Sequence, residues 1–182
     1  MASELRVDKI IPTNGVPTGG GGGIIQVVSA INTSATVSIM VAAETYHNYD
    51  DSNLKVTITP KFATSKILIF GTIHVSANTN AYATYVRLNK DGSVLSGARG
   101  DAEGNRTRTL SVAPITSNDH PCLHSISYLD DAGNTNSRYY NYAFAHGASG
   151  TRNMKINAGY NVSNSFLYSV SASTLTAMEV SA

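Results

Sequence analysis

No stretch of this chain repeats its apolar residues at a helical period over ten or more positions, whereas short runs of period-two alternation recur from Ile24 to Val180. Composition points the same way. Ser, Thr and Asn supply about 30% of the residues, while Glu, Lys and Leu are scarce. Ser, Thr and Asn side chains compete for backbone hydrogen bonds in a helix, whereas Thr, Val, Ile and Tyr suit a pleated surface. The chain is therefore expected to be all-β.

Alternation places strands along most of the sequence. Ile24 to Val28 is an apolar run of strand length, and Val37, Ile39 and Val41 alternate with small or polar neighbours. Leu54, Val56 and Ile58 alternate with Lys55, Thr57 and Thr59 until Pro60 ends the strand. Ile67, Ile69, Ile73 and Val75 flank Phe70-Gly71, where a change of phase at a lone glycine reads as a β-bulge. Tyr82, Val86 and Leu88 lead into Lys90-Asp91-Gly92-Ser93, whose Asp-Gly pair signals a hairpin returning through Val94 to Ser96. The polar stretch from Gly97 to Thr107 reads as a loop of about ten residues, long enough to carry function. Leu110, Val112 and Ile115 resume the pattern. Leu123 to Leu129 and Arg138 to Ala145 flank Asp130-Asp131-Ala132-Gly133-Asn134, a second expected hairpin. Met154 to Ile156, Ser165 to Val170 and Thr174 to Val180 bring the total to about ten strands, at the spacing of a β-sandwich or barrel. Eight longer strands with short connections best suit an antiparallel, jelly-roll-like sandwich over residues 24–182, with the strand order left open.

Residues 1–23 differ from the rest and read as an extended N-terminal arm. Gly19 to Gly23 are consecutive glycines, which have the most backbone entropy to lose and are expected to act as a hinge. They do not make a phosphate loop, because Ile24-Ile25 follow where Lys-Ser/Thr would be needed. Ahead of the hinge, Leu5, Val7, Ile10, Ile11 and Val16 are too few for a core of their own and too apolar for a solubility tail. A basic start followed by an apolar core is missing, so no signal peptide is expected.

Charge and cysteine content exclude several function classes. Thirteen basic against 12 acidic residues leave a net charge of +1, no field for a nucleic-acid backbone. The single cysteine, Cys122, excludes an intrachain disulfide framework and a cysteine-based zinc site, and reads as a small buried hydrophobe. The longest apolar runs fall short of a membrane span, so no membrane insertion is expected. His47, His74, His120, His124 and His146 lack metal-ligand spacing, and no Gly-x-Ser-x-Gly elbow occurs. Asp50-Asp51 and Asp130-Asp131 would point to opposite faces of a strand, so they suit turns better than a general acid–base pair. The oxygen-rich Asp130–Asn134 turn leaves calcium open. Arg99-Gly100-Asp101 and the sequons at Asn32, Asn105 and Asn161 follow from composition. Neither an enzyme nor a cofactor is expected.

Aromatic residues carry the remaining signal. Tyr139, Tyr140, Tyr142 and Phe144 crowd one strand, with Tyr82, Tyr85 and Tyr128 elsewhere. An outward Tyr offers a broad apolar ring with a polar tip, suited to protein or sugar contact, and the alternative is a core face backed by a neighbouring subunit. Tyr82, Tyr85, Tyr139, Tyr140 and Tyr142, with Arg99, Asp101 and Arg106 of the long loop, are the candidates for surface contact. A low-charge, aromatic surface favours an oligomer on either view.

Three segments carry a family resemblance: Leu5-Arg6-Val7-Asp8-Lys9-Ile10-Ile11-Pro12-Thr13-Asn14-Gly15-Val16-Pro17 with the glycines and Ile24-Ile25-Gln26-Val27-Val28; Val56-Thr57-Ile58-Thr59-Pro60 followed by Ser65-Lys66-Ile67-Leu68-Ile69; and Ser173-Thr174-Leu175-Thr176-Ala177-Met178-Glu179-Val180. In this order they resemble fibre-like and decoration structural proteins of marine tailed phages of the cyanophage type. The resemblance implies a non-enzymatic virion component, a homotrimer at the particle surface. Its N-terminal segment, through Leu5, Val7, Ile10, Ile11 and Val16, would dock on other virion proteins. Its β domain would project outward and contact a host surface glycan or protein. A short tail or head fibre is favoured because a hinge gives reach. A capsid decoration or cement protein and a lectin-like carbohydrate-binding module are the alternatives, the latter weakened by the absence of Trp.

Overall fold

The computed structural model describes residues 23–35, 39–43, 45–50, 52–78, 83–115, 117, 119–160 and 166–181. These form β1 (Ile24–Asn32), β2 (Ile39–Val41), β3 (His47–Asn48), β4 (Val56–Ile58), β5 (Lys66–Ala77), β6 (Ala83–Lys90), β7 (Ser93–Val94), β8 (Ser111–Pro114), β9 (Cys122–Asp131), β10 (Arg138–His146), β11 (Arg152–Ile156) and β12 (Ser173–Val180). No helix among the described residues is long and apolar enough to cross a membrane.

Two antiparallel sheets share the strands. In the first, β1, β12, β5 and β9 lie side by side, and β11 and β2 continue the sheet where β5 runs past β12. In the second, β10 and β6 are central, β3 and β4 flank β10 end to end, and β7 and β8 flank β6. Four ladders are nested: β1 with β12, β4 with β10, β5 with β9 and β6 with β8. The chain is thus one long hairpin rolled up, closed where β12 meets β5 and β10 meets β6. This is a jelly-roll sandwich, and the roll leaves β1, β9 and the short β2 at the edges of the first sheet.

Alternation decides which side chains fill the interior. Ile67, Ile69, Ile73 and Val75 of β5, Leu175 and Ala177 of β12, Val86 and Leu88 of β6, and Tyr140, Tyr142 and Phe144 of β10 are all fully buried. Polar groups then tie one sheet to the other. The Tyr142 hydroxyl donates to the Thr174 carbonyl at 2.8 Å, and the Tyr140 hydroxyl to Asp130 at 2.7 Å, where Lys90 also pairs. His124 of β9 bonds Thr84 at 2.8 Å and Ser111 at 3.0 Å, both in the second sheet. The inward carboxylate of Glu179 accepts from the Gln26 amide and from the backbone N–H groups of Lys61 and Phe62. Burial alone would raise its pKa, but these donors hold it below the ordinary value.

Several expectations are corrected. Gly71 is no bulge: β5 pairs in unbroken register with both neighbours, and Gly71 holds an inward place in the same phase as Ile69 and Ile73. A Cβ there would lie 2.3 Å from the Thr174 carbonyl and 2.6 Å from the Tyr142 hydroxyl, so glycine is required by close approach. The register irregularity falls instead between Ile24 and Gln26. The Asp130–Asn134 turn is not a hairpin, because β9 and β10 lie in different sheets and residues 132–137 cross between them. Leu54 sits in a short 3-10 turn, and Val170 makes only an isolated bridge to Ala158 after a turn. Cys122 is half-buried, its thiol donating to the Pro114 carbonyl at 3.2 Å while burial raises its pKa. The hairpin at Asp91-Gly92 is as expected, with φ of 52° and 75°, the positive pair a type I′ turn needs.

Candidate functional site

The residues singled out from sequence scatter. Leu5, Val7, Ile10, Ile11, Val16 and Tyr82 lie outside the described residues. Tyr140 and Tyr142 are not surface residues: both are 0% exposed, because positions 140, 142 and 144 of β10 all point between the sheets. Tyr139 faces the other way, under Lys55 at 5.0 Å, with its N–H bonded to Asp91. Asp101 and Arg106 are exposed in the long loop, Arg106 paired with Glu103. Arg99 and Tyr85 alone among the candidates belong to one cluster, each acting electrostatically on Tyr46 at the outer face of the second sheet.

That face is built in rows across β10 and β6. Ala145 opposes Tyr85, Ala143 opposes Arg87, and Asn141 opposes Asn89. Ala143 and Ala145 leave a shallow trough into which larger side chains fold. Tyr46 precedes β3 on one side of β10, yet its hydroxyl donates to the Arg108 carbonyl beyond β6 at 3.1 Å, so the ring lies across the trough. Arg87 stacks on that ring at 4.1 Å. The Tyr85 hydroxyl packs against Gly147, where a Cβ would come within 2.6 Å. The 95–110 loop closes over the side, tied at its neck by the Gly100 N–H to the Thr109 carbonyl and by Arg108 Nε to the Gly100 carbonyl.

Electrostatics on this face are unusual. Arg87 and Arg99 each bury an Nε with no hydrogen-bond partner, and neither pairs with a carboxylate among the described residues. Burial lowers the Arg87 pKa, and Arg99 lowers it further by repulsion. Burial raises the Tyr46 phenol, against the pull of both arginines. One row on, Asn89 and Asn141 donate to Asn48 Oδ1 and the Tyr49 carbonyl, while their own buried Oδ1 atoms lack partners. Sequence reasoning missed Tyr46 and Arg87. The Tyr85, Arg87, Asn89 alternation opposite Val86 and Leu88 marks that strand's outer face, but nothing local shows that Tyr46 crosses it.

The Asp130–Asn134 turn borders a polar cleft of about 430 Å³ lined by Lys90, Asp91, Asp131 and Arg138 among others. Its oxygens converge on a cation already in the chain. Arg138 donates to the Asn134 carbonyl at 2.8 Å and Oδ1 at 2.7 Å, and to the Ala132 carbonyl. Asp131 pairs with Lys66.

Among the described residues nothing roofs the outer face of the first sheet. Val27, Met178, Leu68 and Leu129 form an apolar row across four strands, followed by Ser29, Thr176, Phe70 and Ser127, then Ile31, Thr174, Thr72 and Ser125. None of these twelve positions is charged, and Val27 and Leu129 are 49% and 53% exposed. Comparison of the chain with protein-family models and with curated proteins found no match.

Proposed function

We propose that this is a non-enzymatic structural protein of a phage virion, a short trimeric tail or head fibre. In this reading residues 1–23 dock on other virion proteins, and the jelly roll stands at the particle surface. The observation that carries it is the unequal dressing of the two sheets. One presents an uncharged face crossed by an apolar row, suited to copies of the same chain, and the other presents a loop-bordered cationic and aromatic cluster suited to a partner outside the particle. The junction to the arm supports the docking role: Gly23 and Ser181 exchange hydrogen bonds at 3.0 and 3.1 Å, clamping the end of the glycine run to the last strand. The cationic cluster favours host contact over a pure cement role.

Deleting residues 1–18 is expected to leave a folded trimer that no longer joins the particle. Incorporation of the truncated protein into virions at the full-length level would remove the docking role.

A further inference from the structure

Desolvating a charge is expensive unless a partner compensates, so buried cations are ordinarily paired. Lys90 meets Asp130, the Arg138 guanidinium is surrounded by carbonyl oxygens, and Arg152, whose Nε is also buried without a partner, still donates from its outer nitrogen to the Thr151 carbonyl. Arg87 and Arg99 are half-buried and depart from this further, with no hydrogen-bond partner at any nitrogen among the described residues. No hydrogen bond from either guanidinium to the described residues is formed, the inner Nε of each is shut from solvent, and the two repel one another. Two planar forks, with Tyr46 stacked beneath one and Tyr85 beside it, present donors that match the two oxygens of a carboxylate or sulfate. The edges of the two tyrosine rings, whose hydroxyls are turned to the Arg108 carbonyl and to Gly147, give such a ligand an apolar flank.

The geometry points to a binding site, formed by Arg87, Arg99, Tyr46 and Tyr85, for an oxyanion carried on a sugar ring, either a uronate or a sulfate ester. The inference rests on the host-contact reading and names its ligand class.

Calorimetric titration of the full-length protein tests it, with oligogalacturonate, sulfated dextran oligomer, neutral dextran and sodium sulfate as probes. At least one anionic oligomer is expected to bind about tenfold or more tightly than neutral dextran and sodium sulfate, and to weaken as salt is raised. Preference for oligogalacturonate assigns a carboxylate source, and preference for the dextran oligomer a sulfate source. R87Q/R99Q, checked for an undiminished Tm, should lose about tenfold or more, and R87K/R99K should also lose affinity because charge remains but the forks do not. Unchanged affinity in R87Q/R99Q overturns the site. Absence of any preference over neutral dextran does the same, and sodium sulfate binding as tightly as the sugars overturns the saccharide assignment. A loss of self-association in R87Q/R99Q, without sugar binding by the parent, reassigns the arginines to a carboxylate of a second copy. Sugar binding without virion incorporation would sink the fibre reading and keep the site; incorporation without sugar binding would do the reverse.

Discussion

The two outer faces of this sandwich come from the same alternation and end differently. On the first sheet, threonines, serines and an apolar row point to solvent with little above them. On the second, Ala143, Ala145, Asn89 and Asn141 are as buried as the core, because Tyr46, Arg87 and the 95–110 loop fold over them. Burial on an outward face thus depends on side-chain size. Two alanines on a central strand create a trough, and a distant tyrosine fills it. The bare face can change without disturbing the monomer, whereas the roofed face belongs to the fold.

Substitutions can sharpen or break that contrast. The interior common to both faces sets the scale: Gly71→Ala drives a Cβ into the Thr174 backbone and should cost about 3 kcal/mol or prevent folding, read by urea denaturation. Next comes pH. His124, which joins the sheets, is pulled down to about 4 by burial and then by His74. The unfolded chain, with an ordinary histidine near 6.5, takes up the proton first. Stability that is full above about 6.5 therefore drains as pH falls toward 4, by roughly 3 kcal/mol. A flat Tm across that window would contradict this, and His124→Gln should reduce the slope, leaving the part due to His47 and His74, which burial also pulls down. On the roofed face, Tyr46→Ala uncovers Ala143 and Ala145 and should cost about 2 kcal/mol. Arg87→Met should run the other way, raising stability by about 1 kcal/mol as an unpaired cation becomes an apolar chain. A loss there would show that the stacking of Arg87 on Tyr46 outweighs the cost of the unpaired cation. On the bare face, Val27→Ser and Leu129→Ser should move monomer stability by no more than about 0.5 kcal/mol while weakening self-association.

Much of the fold was legible because alternation is a local signal. The strand character of β4 and β5 and the Asp91-Gly92 turn are carried by adjacent residues, whereas Gly71, expected as a bulge, owes its place to the Thr174 backbone and Tyr142 packed against it. The Asp130–Asn134 turn has the same residue types, yet its flanking strands diverge into different sheets, since turn chemistry does not encode pairing partners. Tyr140 and Tyr142 were misplaced because aromatic content was weighed ahead of their shared phase with Phe144. Half of the cationic cluster was legible as loop and strand candidates. Its other half was not, because Arg87 and Arg99 meet only after the β6–β7 hairpin folds back, and Tyr46 arrives from a segment separated from β6 by three strands.

Light scattering of the full-length protein at two concentrations, with Val27→Ser/Leu129→Ser beside it, bears most directly on a trimer that packs through its bare face. The expected mass is three times the 19.2 kDa chain at both concentrations, falling in the double variant while its fold persists. A monomer at both concentrations, or a trimer indifferent to those two substitutions, would contradict it.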